Sequence, residues 1–273
     1  MSGATALLAA TLPLALFAAT AQGDLWDHIE LDAELEIEWA TDLNSGDAQM
    51  LEGRLEPELE IALPWDLSFT GIARLRGDIY DRMWRGDAHP SEVSSISRPR
   101  MIGDRAEFEL REFFLQGRAA KTLFRLGKQQ VVWGQADGLK VLDVVNPQSF
   151  RAFILDDFED SRIPLWTVNV EVPFHKVVAQ LLWIPDPSYH AFAPQGSVFA
   201  FTAKGLGPPT PPPGFDLRVK KPDRPTNFFS DSDAGTRIST FWGGWDLTLN
   251  YLYHYDDVPA PVRTIDVAST TPT

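Results

Sequence analysis

Carboxylates crowd two short stretches of this chain, Glu30, Asp32, Glu34, Glu36 and Glu38 in the first and Glu52, Glu56, Glu58 and Glu60 in the second. Paired carboxylates can act as general acid and base, and a longer row of them can set the field inside a water-filled passage. Spacing favours the passage: the acids recur at every second residue, which lines them along one face of an extended strand rather than closing them into a couple. Further along, Arg74, Arg76 and Arg111 share stretches with Glu107 and Glu109 in the same alternation. The candidate pore lining is therefore Glu34, Glu36, Glu56, Glu58, Arg74, Arg76, Glu107, Glu109 and Arg111. The same residues also suit cross-strand ion pairs that simply hold a wall together. A second charged group, Arg151, Asp156, Asp157, Glu159, Asp160 and Arg162, lies in a stretch rich in turn formers and aromatics, and is a candidate constriction of that passage.

Other chemistry finds little support. There is no cysteine, which removes thiol catalysis and thiolate metal sites. The histidines, at 28, 89, 175, 190 and 254, lack metal-ligand spacing. The run Asp231-Ser232-Asp233-Ala234-Gly235 opens like a calcium loop, but its glycine is out of register and no closing glutamate follows. Nucleophile-elbow, phosphate-loop and dinucleotide motifs are missing. The expectation is a non-enzymatic protein without a cofactor.

The elements that would carry these charges are strands. From Ile29 to Trp39 the odd positions are apolar and the even ones acidic, and Leu51 to Leu63 repeats the pattern with Leu51, Leu55, Leu59, Ile61 and Leu63 on one side. Pro57 falls on the apolar parity and predicts a bulge or a local edge. A third strand spans 67–79; a fourth, 105–116, sets Ala106, Phe108, Leu110 and Phe114 against Arg105, Glu107, Glu109 and Arg111. Five more follow at 122–132, 166–172, 177–184, 236–242 and 247–255. Short turns are expected at Pro64-Trp65-Asp66, Ala119-Ala120-Lys121, Pro173-Phe174-His175 and Gly243-Gly244, and longer loops at 41–50, 80–104, 133–165 and 185–235. Regular exchange of short turns and long loops is the topology of an up-and-down barrel in an outer membrane, with turns in the periplasm and loops outside. Nine strands do not close such a barrel, so the fold class expected is an all-β, antiparallel, transmembrane barrel that is incomplete over 22–273.

Composition agrees. Hydrophobic residues are 44% and charged residues 23% of 273, ordinary for a folded protein. A net charge of -14 with no basic cluster argues against nucleic acid. Residues 4–21 are apolar apart from Thr5, Thr11 and Thr20 and end in Ala19-Thr20-Ala21, which reads as an export signal peptide over 1–21. A membrane anchor or a buried helix is the other reading of that run. The later loop 185–235 contains Pro208-Pro209-Thr210-Pro211-Pro212-Pro213, an extended segment that cannot enter a sheet interior. Trp39, Trp65, Tyr80, Trp166, Trp183, Trp242, Trp245 and Tyr255 fall near predicted strand ends, where a barrel carries its interfacial aromatic girdles.

The most distinctive stretch is Gly127-Lys128-Gln129-Gln130-Val131-Val132-Trp133-Gly134-Gln135-Ala136-Asp137-Gly138, followed by Asp143-Val144-Val145-Asn146-Pro147 and by Asp156-Asp157-Phe158-Glu159-Asp160-Ser161-Arg162-Ile163-Pro164. It resembles the bacterial family called domain of unknown function 1302. The resemblance implies a porin-like outer-membrane β-barrel in a Gram-negative cell and a truncated member of the family. It also implies, by gene neighbourhood, an inner-membrane exporter of the resistance-nodulation-division type as partner and transport of small or hydrophobic molecules. It supplies no catalytic residues. Two rival classes fit less of the sequence: a soluble periplasmic or extracellular β-sandwich binding carbohydrate on its aromatics, and a barrel-embedded hydrolase, for which no nucleophile is seen. Within the leading reading, 133–165, where Phe150, Phe153, Ile154 and Phe158 need burial, either folds back into the lumen as a constriction or caps the surface with local ion pairs.

Overall fold

The computed structural model describes residues 7–16, 28–80, 92–103, 105–134, 141–153, 156–193, 197–200, 225 and 227–258. The expected signal-peptidase site, the proline run 208–213, Ile154 and the polar tail 270–273 lie outside them. In chain order the strands are β1 (Leu7–Leu16), β2 (Ile29–Asp42), β3 (Ala48–Leu63), β4 (Leu67–Asp78), β5 (Arg100–Ile102), β6 (Ala106–Ala119), β7 (Thr122–Gln129), β8 (Ser149–Phe150), β9 (Leu165–Phe174), β10 (Val177–Ile184), β11 (Ala191–Phe192), β12 (Asp233–Trp242) and β13 (Trp245–Tyr253). One short helix, α1 (Phe158–Ser161), precedes β9.

The fold is all-β. An antiparallel up-and-down sheet runs β1-β2-β3-β4-β6-β7-β9-β10-β12-β13, and β5 pairs with β6 where β7 has left it. The sheet is open: β1 and β13 form its two edges and do not pair with each other among the described residues. A separate two-stranded parallel ladder joins β8 to β11. All nine alternating segments of the sequence are strands here, most of them a few residues longer than the alternation alone marks. The apolar stretch read as an export signal enters the sheet over Leu7–Leu16, paired with β2.

Local chemistry explains the hairpins. Gly243 and Gly244 take φ of 60° and 89°, the left-handed pair that matches the twist of a two-residue hairpin. Trp65 and Asp66 adopt the same geometry at φ of 66° and 58°, although a side chain there costs about 1–2 kcal/mol per residue. Four expectations are corrected. The first long loop shrinks to Leu43–Asp47, since β2 and β3 run on to Asp42 and from Ala48. The turn expected at Pro173-Phe174-His175 is His175-Lys176, with Pro173 paired to Val178. The fifth strand ends at Gln129, not Val132. Pro57 keeps its place opposite Ala33 without a register shift, but the β3–β4 ladder is interrupted between Leu55 and Glu58.

The bulge itself lies one strand further on. Between Ile72 and Ala73 the β4–β6 register moves by one residue, from Ile72 opposite Glu112 to Ala73 opposite Leu110, so Arg111 is the extra residue. Parity in β6 therefore flips after Arg111. Phe114, expected beside Phe108 and Leu110 on the apolar face, is buried on the opposite face under Arg125, and Phe113 takes the outward position.

The two faces of the sheet are inverted relative to a water-soluble protein. On the apolar face Trp39, Phe108, Phe113, Leu181, Leu249 and Tyr251 are all exposed, Leu249 by 69%. No second sheet and no helix layer covers that face among the described residues. On the polar face Arg74, Glu52, Glu107 and Arg111 are buried, Arg74 to 2% exposure, because loops fold over them. Contiguous apolar exposure over so many strands exceeds what soluble monomers tolerate.

Candidate functional site

The polar face of β2, β3, β4 and β6 carries a connected ion network. Glu36, Arg54, Arg76 and Glu107 stand opposite one another across the four strands. Arg54 pairs with Glu36 and lies 3.1 Å from Glu56; Arg74 reaches Glu56 at 2.6 Å; Arg76 reaches Glu52 and Glu107, each at 2.9 Å. Arg111 contacts Glu109 at 3.3 Å. Seven of the nine expected lining residues are thus brought together. Glu34 and Glu58 share the face but form no ion pair among the described residues. They belong to a ladder of acids facing acids, Glu30 opposite Glu60, Asp32 opposite Glu58 and Glu34 opposite Glu56. Like charges at that spacing repel and are tolerated where water screens them.

The stretch 141–165 lies across this network. Arg151 is bonded to Glu52 through both terminal nitrogens, one at 3.2 Å. Asp160 accepts from Arg74 at 2.5 Å and sits 2.9 Å from Arg54. Burial disfavours the charge on Asp160, but Arg74, Arg54, Arg111 and Arg76 together outweigh that and hold its carboxyl below the ordinary range. Arg111, pushed forward by the bulge, donates to the carbonyls of Arg162 at 2.9 Å and Glu159 at 3.0 Å. A cation placed there meets the carbonyls left open at the end of α1. Arg162 pairs with Asp143 at 2.7 Å within the same stretch. Asp156, Asp157 and Glu159 reach no cation by side chain among the described residues. So Arg151, Asp160 and Arg162 are in the site, whereas the other three acids border it.

The second half of the polar face, on β7, β9, β10 and β12, is held differently. Val131, Trp133 and Val145 pack with Leu165, Leu182 and Ile184 in one buried apolar cluster. The Trp133 indole donates to Gln180 Oε1 at 2.8 Å, and Gln180 donates to Asn169 Oδ1 at 3.1 Å. Asn146, 1% exposed, ties the segment down: Val131 N donates to its Oδ1 at 2.8 Å and its Nδ2 donates to Ile163 O at 2.9 Å. Together these contacts place 130–134 and 141–165 over the polar face of the sheet from β2 to β12.

The glycine-lysine-glutamine motif makes this possible. At Gly127, with φ of 134°, an added Cβ would lie 2.2 Å from Phe113 O, so only glycine fits where β7 crosses β6. Lys128 then fills the gap left as β7 departs, donating to Leu110 O at 2.6 Å and Ser97 O at 2.9 Å. Gln129, fully buried, donates to Arg125 O and Thr167 O, each at 3.1 Å. Asp186 is another buried knot, accepting from Ser94, Ser97 and Ser188 and binding the 92–98 segment to the end of β10. Sequence reasoning left Glu52 and Arg54 out of the lining although their parity marks them as members. Lys128, Gln129 and Asp186 carry no local signal of their contacts. No cluster of metal-ligating side chains occurs among the described residues.

The aromatics sort by end. Trp65, Phe174, Trp242 and Trp245 are strongly exposed and gather at the short-turn end, whereas Trp39, Tyr80, Phe229 and Tyr255 lie at the loop end. Trp183 stacks on Phe229 at 5.9 Å between centroids.

Comparison with known proteins adds one match. The family model described as Protein of unknown function (DUF1302) matches residues 36–272. Comparison with curated proteins and with solved structures found no match.

Proposed function

We propose, on the premise that this chain belongs to the DUF1302 family, that it forms part of an outer-membrane β-barrel acting as a channel or as the outer component of an exporter. The observation that carries the reading is the inversion of the sheet: an uncovered apolar face beside a polar face loaded with buried, paired charge. In lipid such a face is at no disadvantage, and strands whose backbone groups bond to their neighbours can span the hydrocarbon layer. The charged face then encloses water. Transport of small or hydrophobic solutes proceeds by geometry and electrostatics, without bond chemistry and without a cofactor. The stretch 141–165 is the constriction, held in the passage by Arg151, Asp160 and Arg162. Residues 1–21 are the export leader, and their removal exposes the outer edge of β2 for closure. Membrane lipid is one partner, and an inner-membrane exporter of the resistance-nodulation-division type is the other.

Fractionation and conductance test this directly. The full chain should partition into outer-membrane detergent extracts with heat-modifiable gel mobility; recovery in the soluble periplasmic fraction would instead fit a carbohydrate-binding sandwich. In planar bilayers, deleting 140–160 should raise single-channel conductance severalfold. An unchanged value would remove the constriction.

A further inference from the structure

Beneath the Trp133 segment, the polar face holds a cavity of about 580 Å³, a size usual for small-molecule sites. Its polar wall is built from Gln116, Arg118, Arg125, Gln130, Asn169 and Gln180, and its apolar wall from Leu123, Val131 and Val132. None of these residues belongs to the ion network described above.

The hydrogen bonds in the wall have a direction. An indole N–H and a guanidinium can only donate, so the amides they bind must turn their oxygens toward them. Trp133 therefore fixes the Gln180 oxygen, and Arg125 fixes the Gln116 oxygen at 3.0 Å. Gln180 in turn donates to the Asn169 oxygen, and Arg162 approaches the Gln130 oxygen at 3.5 Å. Each of the four amide oxygens has a donor, and the side-chain N–H groups of Gln116 and Gln130 have no acceptor among the described residues. The guanidiniums add to this surplus. Arg118 and Arg125 form no ion pair among the described residues, while Arg54, Arg74, Arg76, Arg111, Arg151 and Arg162 are each matched to a carboxylate. Arg125 is further fixed over the Phe114 ring, 4.5 Å from its centroid. Two carboxylates also line the cavity: Glu171 accepts from Gln180 at 3.4 Å and Asp66 lies on an exposed turn.

We infer that this cavity binds a small organic carboxylate, its carboxyl group received by Arg118, Arg125 and the Gln116 amide and its apolar body by Leu123, Val131 and Val132. A planar carboxylate offers the two acceptor oxygens that a guanidinium fork and neighbouring N–H groups demand. A neutral or cationic solute of the same shape leaves those donors unanswered, and unpaired donors in a site are what rejects a wrong ligand. The role of the site as a station for the transported molecule rests on the channel reading; the binding itself does not.

The test is calorimetric titration of the full chain in detergent micelles with benzoate as the probe and benzamide as its neutral counterpart. Benzoate should bind saturably, benzamide at least tenfold more weakly, and Arg118→Gln and Arg125→Gln should each weaken benzoate about tenfold. Arg118 is exposed, so its variant reports on binding even if the Arg125 variant misfolds. Arg100→Gln, on β5 and away from the cavity, should bind benzoate as the parent does. Absence of saturation, equal binding of benzamide, or unchanged affinity in Arg118→Gln would overturn the site. Conductance is read separately: bound benzoate in a protein that does not conduct removes the channel and keeps the site, and the reverse pair of results does the opposite.

Discussion

Across β2, β3, β4 and β6 the overlying segment is fastened by formal charge, through Arg151 to Glu52 and Asp160 to Arg54 and Arg74. Across β7, β9, β10 and β12 it is fastened by an apolar cluster and by neutral hydrogen bonds from Trp133 and Asn146. One stretch of chain thus has two attachments with different physics. Apolar packing has no group to titrate, whereas the charge pairs are lost once acid protonates their carboxylates. The charged half can therefore let go at low pH while the apolar half stays in place.

The largest effect that sharpens this contrast is Trp133→Ala. Removing a side chain 2% exposed from the cluster should cost about 3–5 kcal/mol, seen as a lower urea midpoint that is the same in low and high salt. If the loss depends on salt, the two halves are not separate in kind. Arg151→Met comes next. Glu52 keeps Arg76 as a partner, so the cost should be about 2 kcal/mol, and limited proteolysis should cut 141–153 faster than in the parent. Cleavage unchanged in that variant would show that charge does not hold the segment. The smallest effect is the pH response of Asp160. Its carboxyl is held below the ordinary value of 3.8, so its contribution to stability is complete above that value and is lost as pH falls through the lower folded one. Asp160→Asn should lower the urea midpoint at pH 7 and narrow the difference between pH 7 and pH 3. A difference as wide as the parent's would exclude Asp160 as an anchor.

Much of the sheet was legible because alternation is a local signal. Each strand announces its two faces within a few residues, as Leu31 to Glu36 does, and each short hairpin is marked by turn formers such as Gly243-Gly244. The lining was legible for the same reason, and Arg54 followed the parity of its neighbours. What alternation cannot convey is a residue that changes phase, since Arg111 looks like any other cation of the polar face. Nor can it convey contacts made across long separations. Arg151 meets Glu52 from 99 residues away and Arg74 meets Asp160 from 86, with nothing in either local sequence to name the other. The same holds for Lys128, whose two acceptors are backbone carbonyls that any sequence would supply.

The single inserted residue in β6 works as a phase shifter for everything that follows it in that strand. Upstream, odd numbers look toward the loops; downstream, even ones do, and this brings Phe114, Gln116 and Arg118 to the side where Arg125 stands. Excising Arg111 would restore strict alternation with Ile72 still opposite Glu112, so that trio would keep its side, and what would go is the cation that reaches the carbonyls of Glu159 and Arg162. A shortened strand of this kind would keep its hairpin and the floor of the cavity yet lose one tether of the segment above it, so among relatives the length of this strand would tell which ones fasten α1 to the sheet.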